Sequence, residues 1–215
     1  MKFGKKLLEQ VQLAPAGWAP HYIPYKDLKK ILHGIESGES STIFRAEGDF
    51  LSAILQAIEG ANSFYGGQEA AYGARLEALA KTLEKPTEWI ISSPDLEGEA
   101  SGTEPDFPRV VDALEAGVHV PQDKRAALDA FLELCAEIDQ LRKFSVLTSL
   151  AVTKISKKHD KHSALKLSPS ILAYATSQSF YTSRVLAKTF THAQCIVSEI
   201  LTALTQATPL TEDYT

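Results

Sequence analysis

The sequence predicts an all-α fold: an N-terminal helical hairpin packed on a bundle of long helices. Three observations lead there. Apolar residues recur at three- and four-residue steps through most of the chain. Prolines and glycines gather into a few short breaks. Only "WIISS" at 89–93 has the character of a strand. With 215 residues and 44% apolar content, the chain is long enough to bury one substantial core.

Taken in order, Phe3, Leu7, Leu8 and Val11 give a short first helix, and "APAGWAP" at 14–20 makes a turn. Tyr25, Leu28, Ile31 and Leu32 give a second helix that Gly34 is expected to end. Together they form a hairpin over 1–36. A long helix over 42–86 carries Phe44, Leu51, Leu55, Ile58, Tyr65, Tyr72, Leu76 and Leu79 near one stripe. Gly60, Gly66, Gly67 and Gly73 argue against its being unbroken, because each costs ~1 kcal/mol relative to alanine. The segment 92–120, beginning "SSPDLEGEASGTEPDFP", reads as an acidic solvated loop.

A second long helix over 121–163 follows, opened by Pro121 and carrying Leu128, Leu132, Cys135, Ile138, Leu141, Phe144 and Leu147. "LSPS" at 167–170 breaks it, and Ser168 or Ser170 is placed to cap a short helix "ILAYAT". A last helix from about Tyr181 to Ala207 completes a single domain over 1–207, with the C-terminal helices in 168–207 and a frayed tail at 208–215. Cys135 and Cys195 both lie in apolar helical contexts and read as two buried, reduced thiols of a cytoplasmic protein. No apolar run is long enough to span a bilayer, and no signal peptide is evident.

The charge is unevenly placed. The net charge is −5, yet residues 1–30 carry +4 and residues 141–166 carry +6, leaving −15 for the rest. Acidic bulk with two basic segments argues against a nucleic-acid binder and suits a local anion site, provided the two segments meet. Lys154, Lys158 and Lys161 fall on one helical face, with Lys157 beside them. Stacked like charges destabilise a helix by a few tenths of a kcal/mol per pair. A basic helix C-terminus that is simply solvated fits the spacing equally well. In the hairpin, Tyr22 and Lys26 are one turn apart, and Lys29 and Lys30 follow. A hydroxyl and convergent ammonium groups with no opposing carboxylate suit phosphate.

"MKFGKKL" at the start, "YIPYKDLKKIL" at 22–32, "NSFY" at 62–65, "LRKF" at 141–144 and "KISKKHDKH" at 154–162 together resemble an SPX domain, in the family's order and spacing. The resemblance implies a helical domain that binds inositol polyphosphates, especially pyrophosphates, as a measure of phosphate status in eukaryotes. It implies ligand contacts from Tyr22, Lys26 and Lys30 on one side and from Lys154, Lys157, Lys158 and Lys161 on the other, with Lys29 and Lys2 as further members. It implies no cofactor, and a protein partner or attached effector domain (polyphosphate polymerase, phosphodiesterase, ubiquitin ligase or phosphate transporter). The chain departs from the family at Ser156, where leucine is usual, at Thr148, where asparagine is often near, and at Gly60 and Gly66, where lysines tend to stand.

Other candidates are weak. His159 and His162 flank Asp160 but have no metal-ligand partners at suitable spacing and read as surface histidines. His21 and His33 flank the basic hairpin within possible reach of a ligand. Glu97 and Glu99 lie in the acidic loop, "GGQEAAYG" lacks phosphate-loop spacing, and no serine or cysteine sits in a hydrolase elbow, so no catalytic constellation is seen. A module docking on anionic membranes is a third possibility. The −15 elsewhere in the chain opposes it.

Overall fold

A computed structural model describes residues 3–37, 40–82 and 122–206, and every regular element among them is helical. Lys2, Pro121, the 92–120 segment, the strand candidate at 89–93 and the 208–215 tail all lie outside the described residues. The helices are α1 (Phe3–Gln12), α2 (Tyr25–Ser37), α3 (Ser40–Thr82), α4 (Gln122–His162), α5 (Ser168–Thr176), α6 (Ser179–Thr182) and α7 (Val185–Gln206). A short 3-10 turn, Ala19–His21, lies between α1 and α2.

Among the described residues the backbone forms two compact units, one drawn from 1–70 with 139–184 and the other from 71–138 with 185–215. In the first, the hairpin is anchored by rings. Trp18 meets Phe64 and Phe144 edge-on at centroid distances of 5.1 and 6.1 Å, and Tyr22 meets Phe144 at 4.7 Å. Aromatic pairs of this kind each add about 0.5–1.5 kcal/mol beyond the area they bury. Around them Leu28, Leu32, Phe50, Ile54, Ile58, Leu141, Ala151 and Ile155 are fully buried or nearly so. The α1–α2 connection turns at Gly17, whose φ is 83°, and the Trp18 N–H donates to the Pro15 carbonyl at 3.1 Å. That φ is what the third position of a type II turn requires.

In the second unit, Tyr72, Leu76, Leu128, Phe131, Leu134, Leu186 and Ala193 are buried. Arg75 bridges α3 to α4 with hydrogen bonds to Glu137 at 2.8 and 2.9 Å and to Glu133 at 2.6 Å. Burial there, with the Glu137 charge adding to it, pushes the Tyr72 hydroxyl up to about 12.

Several elements differ from the sequence expectation. Helix α2 runs through Gly34 to Ser37, and α3 is unbroken through its glycines. A continuous buried stripe outweighs the conformational cost of each glycine, as packing commonly does. That stripe is centred on Phe50, Ile54, Ile58, Ala61 and Tyr65, while Phe44 is exposed. In α4 the expected Leu132 is exposed and its neighbours Phe131 and Leu134 are fully buried. The C-terminal segment breaks at 183–184, so α7 begins at Val185. The cysteines are not both buried: Cys135 is half-buried, its thiol pushed up by desolvation, and Cys195 is exposed.

Candidate functional site: a basic cavity between the hairpin and the end of the fourth helix

Two helix ends build the site within the first unit. Helix α2 opens with Tyr25 and Lys26, so Lys26, Lys29 and Lys30 occupy its first two turns, where the macrodipole adds to their positive charge. Helix α4 closes with "KISKKHDKH", where the dipole has the opposite sign and favours cations. Between them lies a cavity of about 420 Å³ lined by Lys26, Lys29, Lys30, Leu32, His33, Lys158 and His162. The two basic segments of the sequence thus meet, and the lining contains no carboxylate.

A larger cavity of about 790 Å³ adjoins it in composition, sharing Lys26, Lys29 and Lys158. Its other walls are mostly apolar, from Phe3, Leu7, Val11, Ile23, Pro24 and Tyr25, and Tyr22 lines it too. Tyr22 is buried against Phe144, and desolvation raises its hydroxyl above the ordinary range. Lys154, Lys157 and Lys161 are exposed on α4 and line neither cavity. Lys30 also donates to Asp27 at 2.7 Å, an exposed pair that lowers the Asp27 carboxyl by that hydrogen bond and by the lysine charge. Exposed pairs of this type contribute little to stability. His21, considered from the sequence as a ligand contact, instead stacks on Phe64 at 4.1 Å.

The end of α4 is held by a polar network that the sequence reading missed. His159, expected on the surface, is fully buried and stacks on Phe50 at 4.5 Å. Its Nε2 lies 2.7 Å from Glu47 Oε2 and its Nδ1 lies 3.2 Å from Asp160 Oδ1. The Ser163 hydroxyl donates to the other Glu47 oxygen, and the Leu165 N–H donates back to Ser163 Oγ at 2.9 Å. Asp160 Oδ1 also accepts the backbone N–H groups of Leu167 and Ser168 at 3.0 and 3.1 Å. It therefore caps α5, a role expected of Ser168 or Ser170. Burial raises the Asp160 carboxyl, but the hydrogen bonds from His159, Ser168 and Leu167 outweigh this and hold it below the usual carboxylate range. Ser156 is buried too, its hydroxyl donating to the Val152 carbonyl at 2.8 Å. The only sequence clue to Glu47 was a carboxylate near the start of a long helix, with nothing to pair it with a histidine 112 residues away. Among the described residues, no group of three or more histidine, cysteine, aspartate or glutamate side chains is arranged for a metal ion.

This geometry defines an all-α domain with a cationic cavity between an N-terminal hairpin and the C-terminal end of a long helix. The family model described as "SPX domain" matches residues 103–174. The chain is 23% identical over 204 residues to SPX domain-containing protein 5 of Oryza sativa subsp. indica, covering 95% of this chain and 69% of that protein. It is 22% identical over 216 residues to SPX domain-containing protein 1 of Arabidopsis thaliana, covering 94% and 72%. A solved structure superposes with a TM-score of 0.65 at 22% identity, covering 94% of this chain and 99% of that one. That structure is the SPX domain of Chaetomium thermophilum glycerophosphodiester phosphodiesterase 1 in complex with inositol hexakisphosphate. The resemblance read from the five motifs is borne out, and the chain has the SPX fold.

Proposed function

We propose that this chain binds inositol polyphosphates, including pyrophosphates, and that the α2–α4 cavity is where it does so. The observation that carries the reading is the convergence of four lysines from two helix ends on one cavity without a carboxylate. Ammonium groups are strongly hydrated point charges with three donors each, and several of them accommodate a ring of phosphates in more than one orientation. The bound ligand of the structurally similar SPX domain supports the same ligand class. Lys26, Lys29, Lys30 and Lys158 form the inner contacts. Lys154, Lys157 and Lys161, exposed on the same helix end, extend the positive field outward and reach phosphates that project from the cavity; Tyr22 and Lys2 complete the set. The chain supplies a regulatory signal rather than catalysis, acting on a protein partner or an attached domain.

Calorimetric titration with inositol hexakisphosphate tests the reading. Lys26→Ala and Lys158→Ala are each expected to weaken binding about tenfold or more, a loss of about 1.4 kcal/mol. The affinity should also drop as salt is raised, because the interactions of exposed charges are screened over about 8 Å at physiological ionic strength. Wild-type binding no tighter than that of inorganic phosphate, or indifference to both substitutions, would overturn the assignment.

A further inference from the structure

The larger cavity, of about 790 Å³, has apolar walls that a bare polyphosphate leaves unused. Helix α1 rides closely on the start of α2: Phe3 meets the Tyr25 ring edge-on at 5.2 Å, and a Cβ on Gly4 would stand 3.3 Å from that ring. Beyond this contact Leu8 and Val11, three residues apart on α1, line the cavity together with Ile23 and Pro24. Leu8 is 54% exposed, so this apolar wall is open to solvent. Lys26, Lys29 and Lys158 belong to this cavity and to the smaller one alike. Resting on the reading of the smaller cavity as an inositol phosphate site, we propose that the larger one seats the acyl chains of a phosphoinositide, a lipid whose phosphorylated inositol headgroup lies on the shared lysines.

An occupant of this cavity has two kinds of wall to satisfy. Lys5, Lys26, Lys29 and Lys158 favour an anion, and the one carboxylate in the lining, Asp27, is engaged by Lys30 at 2.7 Å. Phe3, Leu7, Leu8, Val11, Ile23 and Pro24 favour an apolar body. The volume lies within the ~300–1,000 Å³ of sites that take small organic ligands. A phosphoinositide carries both parts in one molecule, and its headgroup has the chemistry already assigned to the neighbouring cavity. An acidic protein helix matches the lysines less well. Each carboxylate brings a single charge, whereas a phosphate monoester brings about −1.5 to −2 and three acceptor oxygens. The −15 elsewhere in the chain opposes adsorption to an anionic surface, but recognition of one lipid in a groove rests on the local charge. Each methylene moved from water onto an apolar wall strengthens binding about fourfold. That gain is indifferent to salt screening, unlike the headgroup contacts.

The test is calorimetry of the full chain with dioctanoyl phosphatidylinositol bisphosphate, kept below the concentration at which it forms micelles, beside the deacylated headgroup with the same phosphates. The acylated form is expected to bind wild type at least about tenfold more tightly than the headgroup, which burial of two methylenes already supplies. That ratio should hold as salt is raised, while both affinities fall. Leu8→Gln and Val11→Asn should each shrink the ratio and leave headgroup binding unchanged. Inositol hexakisphosphate should displace the lipid, because the two share Lys26, Lys29 and Lys158. Equal affinities of the two forms for wild type, with Lys26→Ala still weakening hexakisphosphate binding, would overturn the lipid. The anion site would then stand, and the groove would be left to an apolar segment of a protein. A chain advantage untouched by both α1 substitutions would place the chains elsewhere and overturn the groove. Hexakisphosphate binding indifferent to Lys26→Ala and Lys158→Ala would remove both sites. The comparison on wild type needs no substitution and retains its force even if a variant folds poorly.

Discussion

Asp160 joins two helices through one carboxylate. It faces His159 from the last turns of α4 and accepts the N–H of Leu167, just before α5, and that of Ser168, the first residue of α5. Removing an aspartate cap typically costs about 1 kcal/mol. Its folded pKa is depressed, so the stabilisation is present above the unfolded value near 3.9 and is lost as pH falls through the lower folded value. Asp160→Asn should therefore melt earlier than wild type at neutral pH, with the gap closing below about pH 4. Thermal melts across pH would show this, and a gap independent of pH would mean the charge is irrelevant to the cap. The same residue marks the limit of reading sequence locally. "KKHDKH" displays its cations plainly because they are patterned along one helix. His159 and Asp160 take their roles from Glu47 and from the α5 backbone, which are brought close only by folding.

At the scale of elements, the hairpin turn depends on a single backbone conformation. Gly17 has a positive φ, and a Cβ built there would meet no atom within 4 Å. The cost of Gly17→Ala is therefore conformational rather than steric crowding by neighbours, at roughly 1–2 kcal/mol. Chemical denaturation should show that loss with an unchanged m-value, whereas no change would mean the turn relaxes freely. The turn was legible from "APAGWAP", and the helices from their periodicity. The exact buried stripes were less so, because Phe44 and Leu132 match a helical pattern as well as Phe50 and Phe131 do. Which of two adjacent stripes faces inward is settled by neighbouring helices. "NSFY" and "LRKF" were legible as family motifs, but their physical meaning emerges only in three dimensions: Phe64 and Phe144 receive Trp18, and Asn62 Oδ1 accepts the Phe180 N–H at 3.2 Å.

At the scale of the molecule, a ligand that binds the folded state alone stabilises it by RT ln(1 + [L]/Kd), about 2.7 kcal/mol at a hundredfold excess. Inositol hexakisphosphate should therefore raise the melting temperature by several degrees, and added salt should shrink the shift. A shift of the same size with inorganic phosphate at equal concentration would speak against a site built for dense phosphorylation. The meeting of the two basic segments was legible because net charge, parsed by segment, opposed the acidic average. The hairpin that brings those segments together was legible only as a topology. Helix α4 adds a constraint of another kind. On it Phe144, Ala151, Ile155 and His159 point inward while Lys154, Lys157 and Lys161 point outward. One residue advances a helix by about 100°. A single-codon insertion between Phe144 and Lys154 would keep every side chain that matters yet rotate the lysines towards the interior. This stretch of the gene should therefore accept many changes of letter and almost none of length.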